Sequence, residues 1–163
     1  MKDKAKITTI KDFYQEMNSL KKTRELILNL LIQDKKPPKK LIDSLNSHLK
    51  RLKSIKKENG NFILVSNQIN LSFKLYYEIS ELEKDIIFLK KGEKALLEYF
   101  KKIHKNFKKQ SQKLINYIKN QKIDLLITDR DGTINNYCET YLSSIQSVYN
   151  AFIIYIFSEK IKN

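Results

Sequence analysis

Two carboxylates, Asp129 and Asp131, stand two positions apart in the stretch "LLITDRDGTIN", residues 125–135. The apolar residues Ile123, Leu125, Leu126 and Ile127, interrupted by Asp124, read as a short buried strand of a parallel sheet. Open α/β sheets place their ligands just past the C-terminal ends of such strands, where the two acids fall. Residues two apart can both face one site once strand gives way to loop. One carboxylate can then attack a phosphorus atom while the other protonates the leaving oxygen and later activates water. A phosphate between two carboxylates is repelled unless a cation intervenes, so Mg2+, with oxygen ligands and retained waters, is the expected cofactor. Gly132 lets the chain turn away, and the Thr133 hydroxyl can fix the loop.

The elements that must position these acids are mostly helical. The chain has 163 residues, only three Gly and two Pro, and 41% hydrophobic residues, enough for a core and too few turn-makers for a many-stranded sheet. Its net charge of +14 is divided sharply: residues 1–122 carry +16 and residues 123–163 carry −2. A domain boundary at Ile123 is the simplest reading. Four helices are expected before it. The first covers residues 10–34, with Thr9 as N-cap, and Arg24 fills the one missing place in the seam of Ile10, Phe13, Met17, Leu20, Ile27 and Leu31. Pro37 and Pro38 end it. The second covers residues 39–58, with Gly60 of "ENGN" as its stop. The third covers residues 62–90 and the fourth residues 93–120, separated by Gly92 in a left-handed conformation. Together they predict an antiparallel helical bundle or a coiled-coil hairpin. A further helix is expected over residues 143–158.

The lysines fall mainly between the apolar stripes, most densely in "KKIHKNFKKQSQK". Such a face can meet nucleic acid or an acidic lipid surface, but a solvated helix surface is the weightier reading, since no recognition motif accompanies it. Nucleic acid and membrane are therefore not expected partners. His48 and His104 have no neighbours in sequence at metal-ligand spacing and read as surface or core-edge residues. One cysteine, Cys138, excludes an internal disulfide and suits a reducing cytoplasm; it reads as a small packed residue rather than a nucleophile. The N-terminus lacks the apolar region of a signal peptide, and no apolar run approaches the ~20 residues that span a bilayer.

The apolar strand followed by Asp129, Arg130, Asp131, Gly132 and Thr133 resembles the first motif of the haloacid dehalogenase superfamily of phosphatases, four apolar residues and then DxDGT. The resemblance implies that Asp129 is the nucleophile that forms an aspartyl-phosphate and that Asp131 is the general acid/base. It also implies that the Asp129 carboxylate and the Asp131 main-chain carbonyl bind Mg2+. "DRDGTIN" is similar to heptose bisphosphate and histidinol phosphate phosphatases as well, but a helical region ahead of the motif is similar to trehalose-6-phosphate phosphatases. The latter type is the reading preferred here.

The implied fold is a mostly α protein: a basic helical bundle over residues 1–122, then the first strand, loop and helix of an incomplete α/β domain over residues 123–163. The superfamily also uses a Ser or Thr at a second strand end, a Lys and a further acidic pair. The 30 residues after Thr133 are too few for those strands and their crossovers, so the chain is expected to be a truncated form, inactive by itself. A phosphorylated sugar is the partner that the resemblance implies. The alternatives are a helical module that oligomerises or binds a partner through its seams, and a basic nucleic-acid-binding protein.

Overall fold

The structure is a computed structural model that describes residues 6–66, 69–119, 121–122 and 146–161. Helix α1 spans Ile10–Ile32 and begins with the expected cap: the Asp12 amide donates to Thr9 Oγ1 at 3.1 Å, and the Thr9 amide donates to Asp12 Oδ2 at 3.0 Å. It ends in a Schellman turn. Asp34 has φ +54, the Lys35 amide donates to Leu30 O at 2.9 Å, and the Asp34 amide donates to Leu31 O at 3.0 Å. Pro38 occupies the N-cap position of α2, Lys39–Lys53, without a capping side chain, and the last turn of that helix carries Lys50, Arg51 and Lys53 against its negative end.

Residues 56–73 depart from the expected helices. They form an antiparallel three-stranded sheet, β1 Lys57–Glu58, β2 Asn61–Ser66 and β3 Ile69–Phe73, in that order. Glu58 pairs with Asn61 across a two-residue turn in which Asn59 has φ +48 and Gly60 φ +80. Those are the values that the tightest hairpin turn requires, so Gly60 is a hairpin residue and not a helix stop. Phe62 and Leu64 enter the core while Ile63 and Val65 do not, the period of two that marks a strand. The Val65 amide donates to Thr8 O at 3.0 Å, which ties the sheet to the start of α1.

Helix α3, Tyr76–Ile103, starts fourteen positions later than expected and continues past Gly92. Gly92, at φ +80 and ψ −179, is non-helical and divides this span into two helical stretches across a kink, the break expected there, although its ψ is extended rather than left-handed helical. A second interruption, which the sequence did not suggest, lies at His104–Asn106, before α4, Phe107–Ile118. Helix α5, Val148–Ile161, is the helix expected in the C-terminal segment, a few positions further on.

One hydrophobic core joins these elements. Met17, Leu20 and Ile27 of α1 meet Leu45 and Leu52 of α2, Phe62 and Leu64 of β2, Leu82 and Ile86 of α3, and Val148 of α5. The seams of α1 and α2 and of the first part of α3 are therefore filled within the chain. A smaller cluster of Phe88, Leu96 and Tyr149 closes the junction of α3 and α5. The Phe100 ring stands edge-on to Tyr149, 6.1 Å between centroids.

A Cβ at Gly92 would meet nothing within 4 Å, so only the backbone conformation requires glycine there. Gly92→Ala should cost about 1–3 kcal/mol of stability in urea unfolding, with the strain of that φ as its sole source.

Candidate functional site

Asp129 and Asp131, together with Gly132, Thr133 and Cys138, lie outside the described residues. The described residues do contain the ground on which that segment's following helix rests. It is an unusual core for a helical bundle: eight polar or charged residues are buried in it, among them Glu16, Arg24, His48, Glu78, Glu81 and Asp85. Charged groups this deep persist only when paired.

Three groups of contacts make up the seam. Between α1 and α2, Glu16 Oε1 lies 2.6 Å from His48 Nδ1 and accepts from Arg51 Nε at 2.9 Å, and Arg51 closes a second contact on Glu16 Oε2. The other ring nitrogen of His48 faces Thr23 and Ser44, each at 3.5 Å. His48 is thus a buried residue with a carboxylate partner, contrary to its isolation in the sequence. Its partner stands 32 positions away, on another helix. His104 does lie at the surface, stacked on Phe100.

Between α1 and α3, Arg24 Nε approaches Asp85 Oδ2 at 2.7 Å, both side chains almost fully enclosed. The contact is close but bent. It is an ion pair rather than a directed hydrogen bond, and no guanidinium nitrogen of Arg24 has a hydrogen-bond partner among the described residues. Between α3 and α5, the Tyr149 amide donates to Asp85 Oδ1 at 3.1 Å, and the Tyr149 hydroxyl donates to Glu81 Oε2 at 2.7 Å. Lys84 Nζ holds the other Glu81 oxygen at 2.5 Å.

Enclosure decides the electrostatics. Burial pushes the Asp85 carboxyl up to about 6, against the opposing pull of Arg24 and of the Tyr149 amide. Burial also raises Glu78, and it raises the Tyr149 phenol, whose hydroxyl faces the Glu81 carboxylate. None of this amounts to a reaction centre. Among the described residues no group of three His, Cys, Asp or Glu side chains could hold a metal ion, and Asp85 has no exposed surface with which to meet a substrate. What the seam can do is hold α5 against α1 and α3 at a fixed angle and height. The residues that do so, Glu81, Asp85 and Tyr149, were not singled out from sequence. The available signal was Arg24 in an apolar seam, which demands an acid on a facing helix, and Glu81 and Asp85 flanking the buried Leu82 on α3.

Residues 9–118 match the model of the trehalose-6-phosphate phosphatase N-terminal helical bundle domain. The chain belongs to the trehalose-6-phosphate phosphatase family. Residues 126–163 match the C-terminal part of trehalose-6-phosphate phosphatase, a stretch that contains Asp129 and Asp131 and also α5. A trehalose-phosphatase from Brugia malayi is 24% identical over 178 aligned residues, covering 91% of this chain and 36% of the relative. The chain thus spans about a third of the length of that relative. Within this chain, the Asp85 and Glu81 contacts join the segment matched as helical bundle to the segment matched as the C-terminal part.

The raised Asp85 carboxyl makes the folded state bind its proton more tightly than the unfolded chain does. Its contribution to stability is therefore full below pH ~4 and is lost as pH rises through about 6. The stability of the protein relative to Asp85→Asn, from urea unfolding at a series of pH values, should fall by up to about 3 kcal/mol across that window. A separate change, Tyr149→Phe, removes the donor to Glu81 and should cost about 1–3 kcal/mol. Its effect should appear as faster hydrogen exchange in α5, with the α1 amides less affected.

Proposed function

We propose that this chain is the N-terminal part of a Mg2+-dependent trehalose-6-phosphate phosphatase, with its helical unit over residues 1–122 and its catalytic unit starting at residue 123. The observation that carries this reading is the C-terminal family match, which runs through "TDRDGT". In this reading Asp129 attacks the phosphorus of the sugar phosphate, and the sugar oxygen leaves with the proton that Asp131 supplies. Asp131 then takes a proton from the water that cleaves the aspartyl-phosphate. The donor set suits Mg2+: a carboxylate from Asp129 and a main-chain carbonyl from Asp131 are hard oxygen ligands that leave room for water and for phosphate oxygens. When bound, the ion neutralises charge that would otherwise build up between the acids and the phosphate.

The helical unit acts here by position. Helix α5 follows the catalytic segment in sequence, and Asp85 and Glu81 hold its first turn. Tilting or sliding the bundle would move α5 with it. By itself the chain is proposed to be inactive, because the phosphate-holding Ser or Thr, the Lys and the second acidic pair that the resemblance implies are assigned to none of its residues. The setting proposed is a reducing cytoplasm, in keeping with the lone Cys138; among the described residues no helix is long and apolar enough to cross a membrane.

Translation of the nucleotide sequence beyond Asn163 in all three frames should supply those missing motifs. The protein assembled from them should release phosphate from trehalose-6-phosphate only with Mg2+. Asp131→Asn should lower kcat by roughly 10²–10⁴-fold, and Asp129→Asn should abolish turnover. A continuation without such motifs, or phosphate release that survives Asp129→Asn, would overturn this reading.

A further inference from the structure

Helix α4 is amphipathic, yet none of its twelve residues is buried. Among the described elements it touches only α3, to which stacked rings of Phe100 and Phe107, 5.3 Å apart, attach its first turn. Leu114, Ile115 and Tyr117 are 60%, 50% and 71% exposed, and Ile103, just ahead of the helix, is 44% exposed. A solvated lysine helix has no need of this apolar stripe. With 100° between successive residues, Phe107, Leu114, Ile115 and Ile118 fall on one side. Lys108 and Lys119 border that side on one flank, and Lys109 and Lys113 lie beyond the other.

Charge narrows the choice of what covers this face. Between Glu98 and Asp124 the chain carries eight lysines and no carboxylate. A second copy would bring two lysine rims of like sign together around the same stripe, and is disfavoured. Nucleic acid would satisfy the lysines but has no use for an aliphatic pair such as Leu114 and Ile115. An anionic bilayer surface meets both requirements. Acyl chains receive the stripe at the depth of the headgroup boundary, while the lysine stems run along the apolar face and place their ammonium groups among the phosphates and carboxylates of the lipids.

We propose that α4 is an interfacial helix that lays its Phe107, Leu114, Ile115 and Ile118 side on anionic lipid, bringing the protein reversibly to a membrane surface without crossing it. The full chain should co-sediment with vesicles of phosphatidylcholine and phosphatidylserine, and not with vesicles of phosphatidylcholine alone. Added salt should release it. The double variant Leu114→Ser/Ile115→Ser should bind the mixed vesicles at least tenfold more weakly, while its helical circular dichroism stays that of the parent. Three results would each overturn the idea. One is absence of sedimentation with the anionic vesicles. Another is binding unchanged in the double variant, which would leave lysine charge alone. The third is a parent that dimerises in light scattering where the double variant does not, which would assign the stripe to a second copy.

Discussion

The ion pair between Arg24 and Asp85 is the constraint on which the arrangement of the helices turns. Both side chains are enclosed, and removing two charges from water costs several kcal/mol per ion before their attraction is counted. The pair is therefore weak as a source of net stability. Its consequence is uniqueness. A slide of α3 along α1 by one turn would leave each charge buried and alone, at about 3–5 kcal/mol, whereas a slide of purely aliphatic seams costs much less. Glu16 with His48 and Arg51 applies the same restriction between α1 and α2. Aliphatic packing supplies the driving force for the bundle, and the charged seam selects one register of it.

The same seam extends to α5. Asp85 accepts the amide of Tyr149, one of the helix-initial donors that no residue within α5 can satisfy, so an acid at that place also favours the positive end of the helix. Asp85 thus faces Arg24 with one oxygen and a helix start with the other. The segment matched to the family's C-terminal part begins ahead of α5 and includes it, and these contacts fix α5 on the bundle. Asp85 and Glu81, among the most buried charges of the bundle, thus serve its contact with α5.

The hairpin of β1 to β3 shows how a period can mislead. Ile79, Leu82, Ile86 and Leu89 do lie on one face of α3, but the helix expected from residue 62 includes the strands β2 and β3. Phe62 and Leu64 alternate instead with more exposed neighbours, and Asn59–Gly60 carries the two positive φ values that join adjacent strands. Short strands carry few repeats, so a two-residue turn is a better signal of them than hydrophobic spacing. Gly92, by contrast, was a sound signal. Its positive φ was legible and does interrupt the helix, since only a residue without a Cβ takes that conformation without strain.

What the sequence determined alone was local or chemical. Thr9 with Asp12 began a helix, and Pro37 with Pro38 marked the linker after it although the helix stops earlier, in the turn at Asp34, because caps and ring constraints act within a few residues. The DxDGT stretch identified a class of phosphatase because two carboxylates, a glycine and a threonine at that spacing seldom coincide by chance. Tertiary structure decided the rest. Glu16 and His48 stand 32 residues apart, and Asp85 and Tyr149 stand 64 apart, so no local pattern pairs them. The two helices α1 and α4 show the same limit: each carries an apolar side, yet among the described residues that of α1 is buried and that of α4 is largely exposed. Spacing gives a helix an apolar side, but only the positions of the neighbouring helices determine whether that side meets protein or remains open to a different surface.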